Sequence, residues 1–125
     1  MKWPNWLLVF IGGGAGSVLR YFISKFVDPK IQTLFPLATM ISNSLACLMI
    51  GFLFAWVQQK SSAENLWLFL SIGFCGGFST FSSFTLSNFQ LAESGFIGLA
   101  ALNIIGSLFI CLVSLYAGIW ASKLI

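Results

Sequence analysis

The chain has 125 residues, 58% of them hydrophobic and 7% charged, with a formal net charge of +3 and a mean hydropathy of +0.96. A water-soluble fold of this size has too little interior to hide so much apolar surface, so lipid is part of its solvent. No basic patch forms, which argues against nucleic acid; the absence of histidine and of any CxxC pair argues against a zinc site or a disulfide framework and leaves Cys47, Cys75 and Cys111 as small buried hydrophobes.

A helix needs about 20 apolar residues to cross a bilayer. Four such stretches follow one another. The first runs from Pro4, a good first-turn residue, to Phe26. Lys2, an apolar run and Ala15-Gly16-Ser17 imitate a cleavable secretory signal, but the apolar character continues through Tyr21 and Phe22, which fits a retained helix. Gly12 and Gly16 form a GxxxG pair that lets another helix approach closely. Arg20 lies near the far end. It either snorkels to the interface or stands as a fixed positive charge that gathers anions at a vestibule mouth.

The second span runs from Pro36 to Val57. Thr39, Asn43 and Cys47 fall at i, i+4 and i+8 and share one face, flanked by Ser42 and Ser44. Asn43 sits near the middle, where an unpaired amide is costly; it is interhelical glue or part of a polar path.

The third span, from Asn65 to Leu91, is long for one straight crossing. It contains GFCGGFSTFSSF at residues 73–84. Gly76-Gly77 is a weak point for helix, and the helix is predicted to break there. A break frees backbone carbonyls at membrane depth, which is tolerated where they are buried or line a cavity and which makes them ligands for a cation such as Na⁺. Phe78, Phe81 and Phe84 are three apart and predicted to share a face, with Ser79, Thr80, Ser82 and Ser83 between them. Hydroxyls donate hydrogen bonds and phenylalanine edges carry partial positive charge, so the stretch suits a small anion. The plainer reading has the phenylalanines packing against lipid.

The fourth span, from Gly95 to Ser122, carries Asn103, Ser107, Cys111 and Ser114 as a stripe of hydrogen-bonding groups. Connections are short, so neighbouring helices are antiparallel and residues 1–125 form one four-helix transmembrane domain. Positive charge is nearly balanced, with Lys2, Lys60 and Lys123 on one side and Lys25, Lys30 and Arg20 on the other. Orientation follows that bias, so either the chain inserts both ways up and pairs about a two-fold axis in the membrane plane, or one weak bias prevails. The middle of each span lacks the Asp, Glu, Lys or His of proton-coupled transport. This favours passive conduction over a small multidrug-type exporter, and polar stripes on three spans argue against a non-transporting membrane assembly subunit.

These residues resemble the Fluc/CrcB family of fluoride ion channels over nearly the whole chain. GGGAGSVLRY at 12–21 is similar to the family's glycine-rich first helix, ATMISN at 38–43 to its second-helix motif, and GFCGGFSTFSSF to its hallmark stretch. The resemblance implies an all-α membrane protein, not an enzyme, with a broken third helix. It implies an antiparallel, dual-topology homodimer with two pores in a bacterial inner (plasma) membrane. Fluoride would leave passively down its electrochemical gradient, protecting a microbe, around a structural Na⁺ at the dimer centre. By position, Phe81 and Phe84 would meet fluoride with their ring edges and Asn43 would be the pore amide. Ser82, Ser83 and Ser107 would form a polar track, with Thr39 and Asn103 on the same path. Gly76 and Ser79 would offer carbonyls to Na⁺, and Arg20 would stand at the vestibule. Four positions depart from the family pattern: Ser79 and Ser83 stand where Thr is frequent and keep the hydroxyl, Ser87 replaces a common acidic residue, and Asn103 stands where an aromatic or His is frequent.

Overall fold

The computed structural model describes residues 3–29, 34–60 and 63–125; Lys2 and Lys30, used above in the charge balance, lie outside them. Helix α1 spans Asn5–Val27 and α2 spans Leu37–Val57. Helix α3 is assembled from Glu64–Leu66, a π-helical stretch Trp67–Cys75 and Gly76–Phe78. Helix α4 is Phe81–Glu93 and α5 is Ile97–Ser122. Among the described residues there is no strand. Among the described residues, and counting α3 and α4 as one interrupted span, four helical segments are long and apolar enough to cross a membrane. At about 1.5 Å per residue each clears a hydrocarbon core of roughly 30 Å. The chain is a multi-pass membrane protein, and the exposed Phe10, Ile105 and Phe109 are what a lipid-facing surface requires.

Lipid gives helices no hydrophobic reason to associate, so close van der Waals approach must hold them together. Glycines provide it. A Cβ on Gly12 would strike the Phe69 carbonyl oxygen, one on Gly16 the Phe74 carbonyl oxygen, and one on Gly77 the Gly13 carbonyl oxygen. The expected GxxxG face thus meets α3, and Gly73 completes the contact from the other side. Helices α2 and α5 use the same device: Gly51 lies against Leu115, and Gly118 against Leu48 and Phe52.

The third span is broken, but not at Gly76-Gly77 as predicted. Those residues stay helical, and the backbone leaves the helix at Ser79 (φ −80°, ψ 157°) and Thr80 (φ −152°, ψ 117°). A glycine weakens a helix by only about 1 kcal/mol relative to alanine. Here Gly77 serves contact with α1, while the interruption falls where other residues replace the lost helical bonds. Phe78, expected beside Phe81 and Phe84, is separated from them by the break. It is 1% exposed and its ring lies 5.7 Å from that of Phe74.

Helix α4 ends in a Schellman turn. Gly95 takes φ +88°, the Phe96 N–H donates to the Leu91 carbonyl at 2.8 Å, and the Gly95 N–H donates to the Ala92 carbonyl at 3.1 Å. The tight reversal lays α5 back against α4.

Candidate functional site

The interruption between α3 and α4 organises the site. Its first device is Asn43 on α2. The Thr80 N–H donates to Asn43 Oδ1 at 2.8 Å, and Asn43 Nδ2 donates to the Thr80 carbonyl at 3.3 Å. The side-chain amide therefore substitutes for the helical partners that Thr80 has lost.

The second device is Thr80 itself. Its Oγ1 accepts the Ser83 N–H at 3.2 Å and so caps the start of α4. Its hydroxyl also donates to Ser83 Oγ and shares a contact with Ser82 Oγ, each at 3.2 Å. The third device closes the end of α3. The Gly77 carbonyl, one of the orphan acceptors of a helix C-terminus, accepts Arg20 Nε–H at 3.2 Å and Ser17 Oγ–H at 3.3 Å. A guanidinium at the negative end of a helix dipole is favourable. Arg20 is thus half-buried against α3, a role the sequence reading did not weigh.

Beside the break lies an open groove of about 210 Å³, lined among others by Asn43, Ser79, Thr80, Phe81, Phe84 and Ser107. The Phe81 and Phe84 rings are neighbours, with centroids 5.8 Å apart and planes 36° from parallel. Phe81 is 80% exposed in the single chain. The N-terminus of α4, its positive end, opens on the same groove. A second depression of about 480 Å³ shares Ser79 and includes Gly76. Gly76 is exposed, with open space where a Cβ would stand.

Of the expected site residues, the structure brings Asn43, Phe81, Phe84 and Ser107 to the first groove and Gly76 and Ser79 to the second. Ser82 is exposed and Ser83 half-buried at the α4 cap, while Thr39 is half-buried on α2 outside the groove lining. Asn103 is 1% exposed, behind the groove wall. Its Nδ2 donates to Asn88 Oδ1 at 2.7 Å, and its Oδ1 accepts the Ser107 hydroxyl at 3.2 Å.

A family model described as "CrcB-like protein, Camphor Resistance (CrcB)" matches residues 7–119. The chain belongs to the CrcB family. This CrcB chain is 41% identical over 123 residues to the "Fluoride-specific ion channel FluC" of Coxiella burnetii, covering 97% of this chain and 96% of that one. It is 39% identical over 116 residues to the protein of the same name in Flavobacterium psychrophilum, covering 92% and 94% of the two chains. A third protein of that name, in Phocaeicola vulgatus, is 38% identical over 117 residues. All three are named as ion channels, not enzymes.

Three members of the site in this CrcB chain went unread in the sequence: Asn88, Ser17 and the Thr80 cap. For Asn88 a signal existed. It lies seven residues before Gly95 and Asn103 lies eight after it, so any tight antiparallel reversal at Gly95 sets the two amides opposite one another.

Proposed function

We propose that the protein is a fluoride-selective channel of a bacterial inner membrane, carrying fluoride passively down its electrochemical gradient. The observation that carries this reading is the groove at the helix break, where paired phenylalanines, an anchored amide and a helix N-terminus converge on one small space. Ring edges and helix N-termini are both positive. They attract a small anion without a fixed cation that would trap it, as conduction requires. Membership of a family whose relatives are named fluoride channels supports the choice of ion.

The working unit in this reading is an antiparallel, dual-topology homodimer with two pores. The groove is open in the single chain and Phe81 is largely exposed, so a second copy would complete the walls. A structural Na⁺ fits the same scheme. The Gly76 and Ser79 carbonyls lie at the C-terminal, negative end of α3, beside an open depression. Gly76 is not an acceptor of the bonds that close the end of α3, which fall on Cys75 and Gly77. Two carbonyls leave a cation's coordination incomplete, and two copies about a two-fold axis would double the set. Bound there, Na⁺ would supply a fixed charge joining the two breaks.

The test is efflux from liposomes loaded with equal fluoride and chloride, with a K⁺ ionophore to carry the counter-charge. Fast fluoride release without chloride is expected. No fluoride release from a well-folded dimer overturns the reading.

A further inference from the structure

The groove has oxygen atoms, but its hydroxyl protons point into the protein. Ser79 Oγ–H donates to the Cys75 carbonyl at 2.8 Å, Thr80 Oγ1–H to Ser83 Oγ, and Ser107 Oγ–H to Asn103 Oδ1. Asn43 has one amide hydrogen on Thr80. An anion arriving here meets spare lone pairs at Ser79 and Ser107, which is the wrong polarity. Freeing the Ser79 proton gives up a bond that nothing replaces.

Ser107 differs because it ends a chain of two buried amides. Asn88 and Asn103 are 8% and 1% exposed and Ser107 is 5% exposed. The oxygen and nitrogen of an Asn amide are nearly isosteric. If both amides turn over, Asn88 Nδ2–H donates to Asn103 Oδ1, and Asn103 Nδ2–H donates to Ser107 Oγ. Both protein hydrogen bonds survive in number, and the Ser107 proton is released toward the groove. Turning one amide alone sets like groups face to face in a buried site, so the pair turns together.

We propose that Asn88 is a positioning residue which, through Asn103, sets whether Ser107 offers the groove a lone pair or a proton. This inference rests on the fluoride reading above and deepens it. In the resting orientation the groove presents acceptors, and an arriving fluoride draws the Ser107 proton outward by reversing the two amides.

Asn88→Asp tests it. The introduced carboxylate only accepts when ionised, which holds Asn103 and the Ser107 proton in the resting orientation; once protonated it donates and permits the reversal. Burial raises a carboxyl's titration range, so fluoride efflux is compared at about pH 8.5 and about pH 5.5, with protein-free liposomes subtracting leakage of HF. The other titratable groups on α4 and on the helices packed against it are Cys47, Cys111, Tyr116 and Glu93. Glu93 is more than one helical turn from Asn88.

The loss of one hydrogen bond to the ion corresponds to about a tenfold change, so N88D flux is expected to be about tenfold lower at the higher pH, with wild-type flux nearly flat. Ser107→Ala in the N88D background should abolish that pH response. A response that persists without the Ser107 hydroxyl would be simple charge repulsion and overturns the proposal, as does N88D flux equal to wild type at both pH values. Should N88D fail to fold, side-chain amide NMR of the wild type decides. Fluoride, and not chloride, should shift the Asn88 and Asn103 amide signals together; an unmoved Asn88 signal overturns the relay. Absent wild-type flux overturns the channel reading and the relay with it, whereas wild-type flux with a pH-independent N88D overturns the relay alone.

Discussion

Asn43 holds Thr80 by both ends of one amide, accepting its N–H at 2.8 Å and donating to its carbonyl at 3.3 Å. Replacing Asn43 with the near-isosteric Leu removes both bonds and strands two backbone groups at membrane depth. Each unpaired group costs about 1–3 kcal/mol, so Asn43→Leu is expected to lose about 2 kcal/mol or more of stability, together with most of the flux. Asn43→Asp keeps the acceptor for the Thr80 N–H and should lie between Leu and wild type. Thermal unfolding in detergent, followed by size-exclusion chromatography, ranks the three; an N43L as stable as wild type would remove the clamp from the argument.

Phe81 and Phe84 are expected to matter for conduction far more than for folding. Phe81 makes few contacts within its own chain, and a ring interaction of the edge type contributes about 0.5–1.5 kcal/mol, or roughly tenfold in rate at the upper end. Phe81→Ile and Phe84→Ile should each cut fluoride flux by up to about tenfold while the protein stays folded. Wild-type flux in either folded variant excludes that ring from the ion path.

Arg20 and Ser17 share one acceptor, the Gly77 carbonyl. Arg20→Ala leaves the Gly77 carbonyl with a single side-chain donor and should cost about 1 kcal/mol, with Lys restoring part of it. Because the two donors meet at one oxygen, the double variant with Ser17→Ala should not equal the sum of the singles. Strict additivity in a double-mutant cycle would show that the two donors act separately. Flux measured at low and high salt separates this capping from anion capture, since long-range capture weakens steeply as salt rises and a half-buried contact is screened much less.

The glycines divide into two groups with opposite expected outcomes. Gly16→Ala and Gly77→Ala place a methyl group against the backbone of a facing helix, which should cost about 1–3 kcal/mol through overpacking. Gly14 has open space around it, and Gly14→Ala should be neutral or stabilising by up to about 1 kcal/mol through helix propensity. Unfolding midpoints of the three variants check the split.

The four crossings were legible because length and apolar content alone dictate them; the predicted Pro36–Val57 and the observed Leu37–Val57 differ by one residue at one end. The position of the break was not. Propensity singles out Gly76-Gly77 as the weakest helical dipeptide, yet helices end where lost bonds are replaced, and the replacements here come from Asn43, 37 residues away, and from the Thr80 hydroxyl. Arg20 presented as an isolated charge because its partner is a backbone carbonyl, and a sequence shows nothing of that kind. Asn103 was legible as a polar residue on a stripe, but its burial against Asn88 depends on how tightly the chain reverses at Gly95.

The glycine contacts join α1 to α3, whereas α4 lies on α5 and α5 on α2. The two halves of the interrupted third span thus rest mainly on different partners, α3 on α1 and α4 on α5, while α2 contacts both and its Asn43 fastens the backbone where they part. The groove lies where they part and is lined by residues of α2, the break, α4 and α5, so its shape depends on how those helices sit against one another and not on any single helix. A bilayer that is too thin or too thick alters helix tilt at modest cost. A change of tilt in these helices would load the two Asn43–Thr80 bonds, which tie α2 to the break.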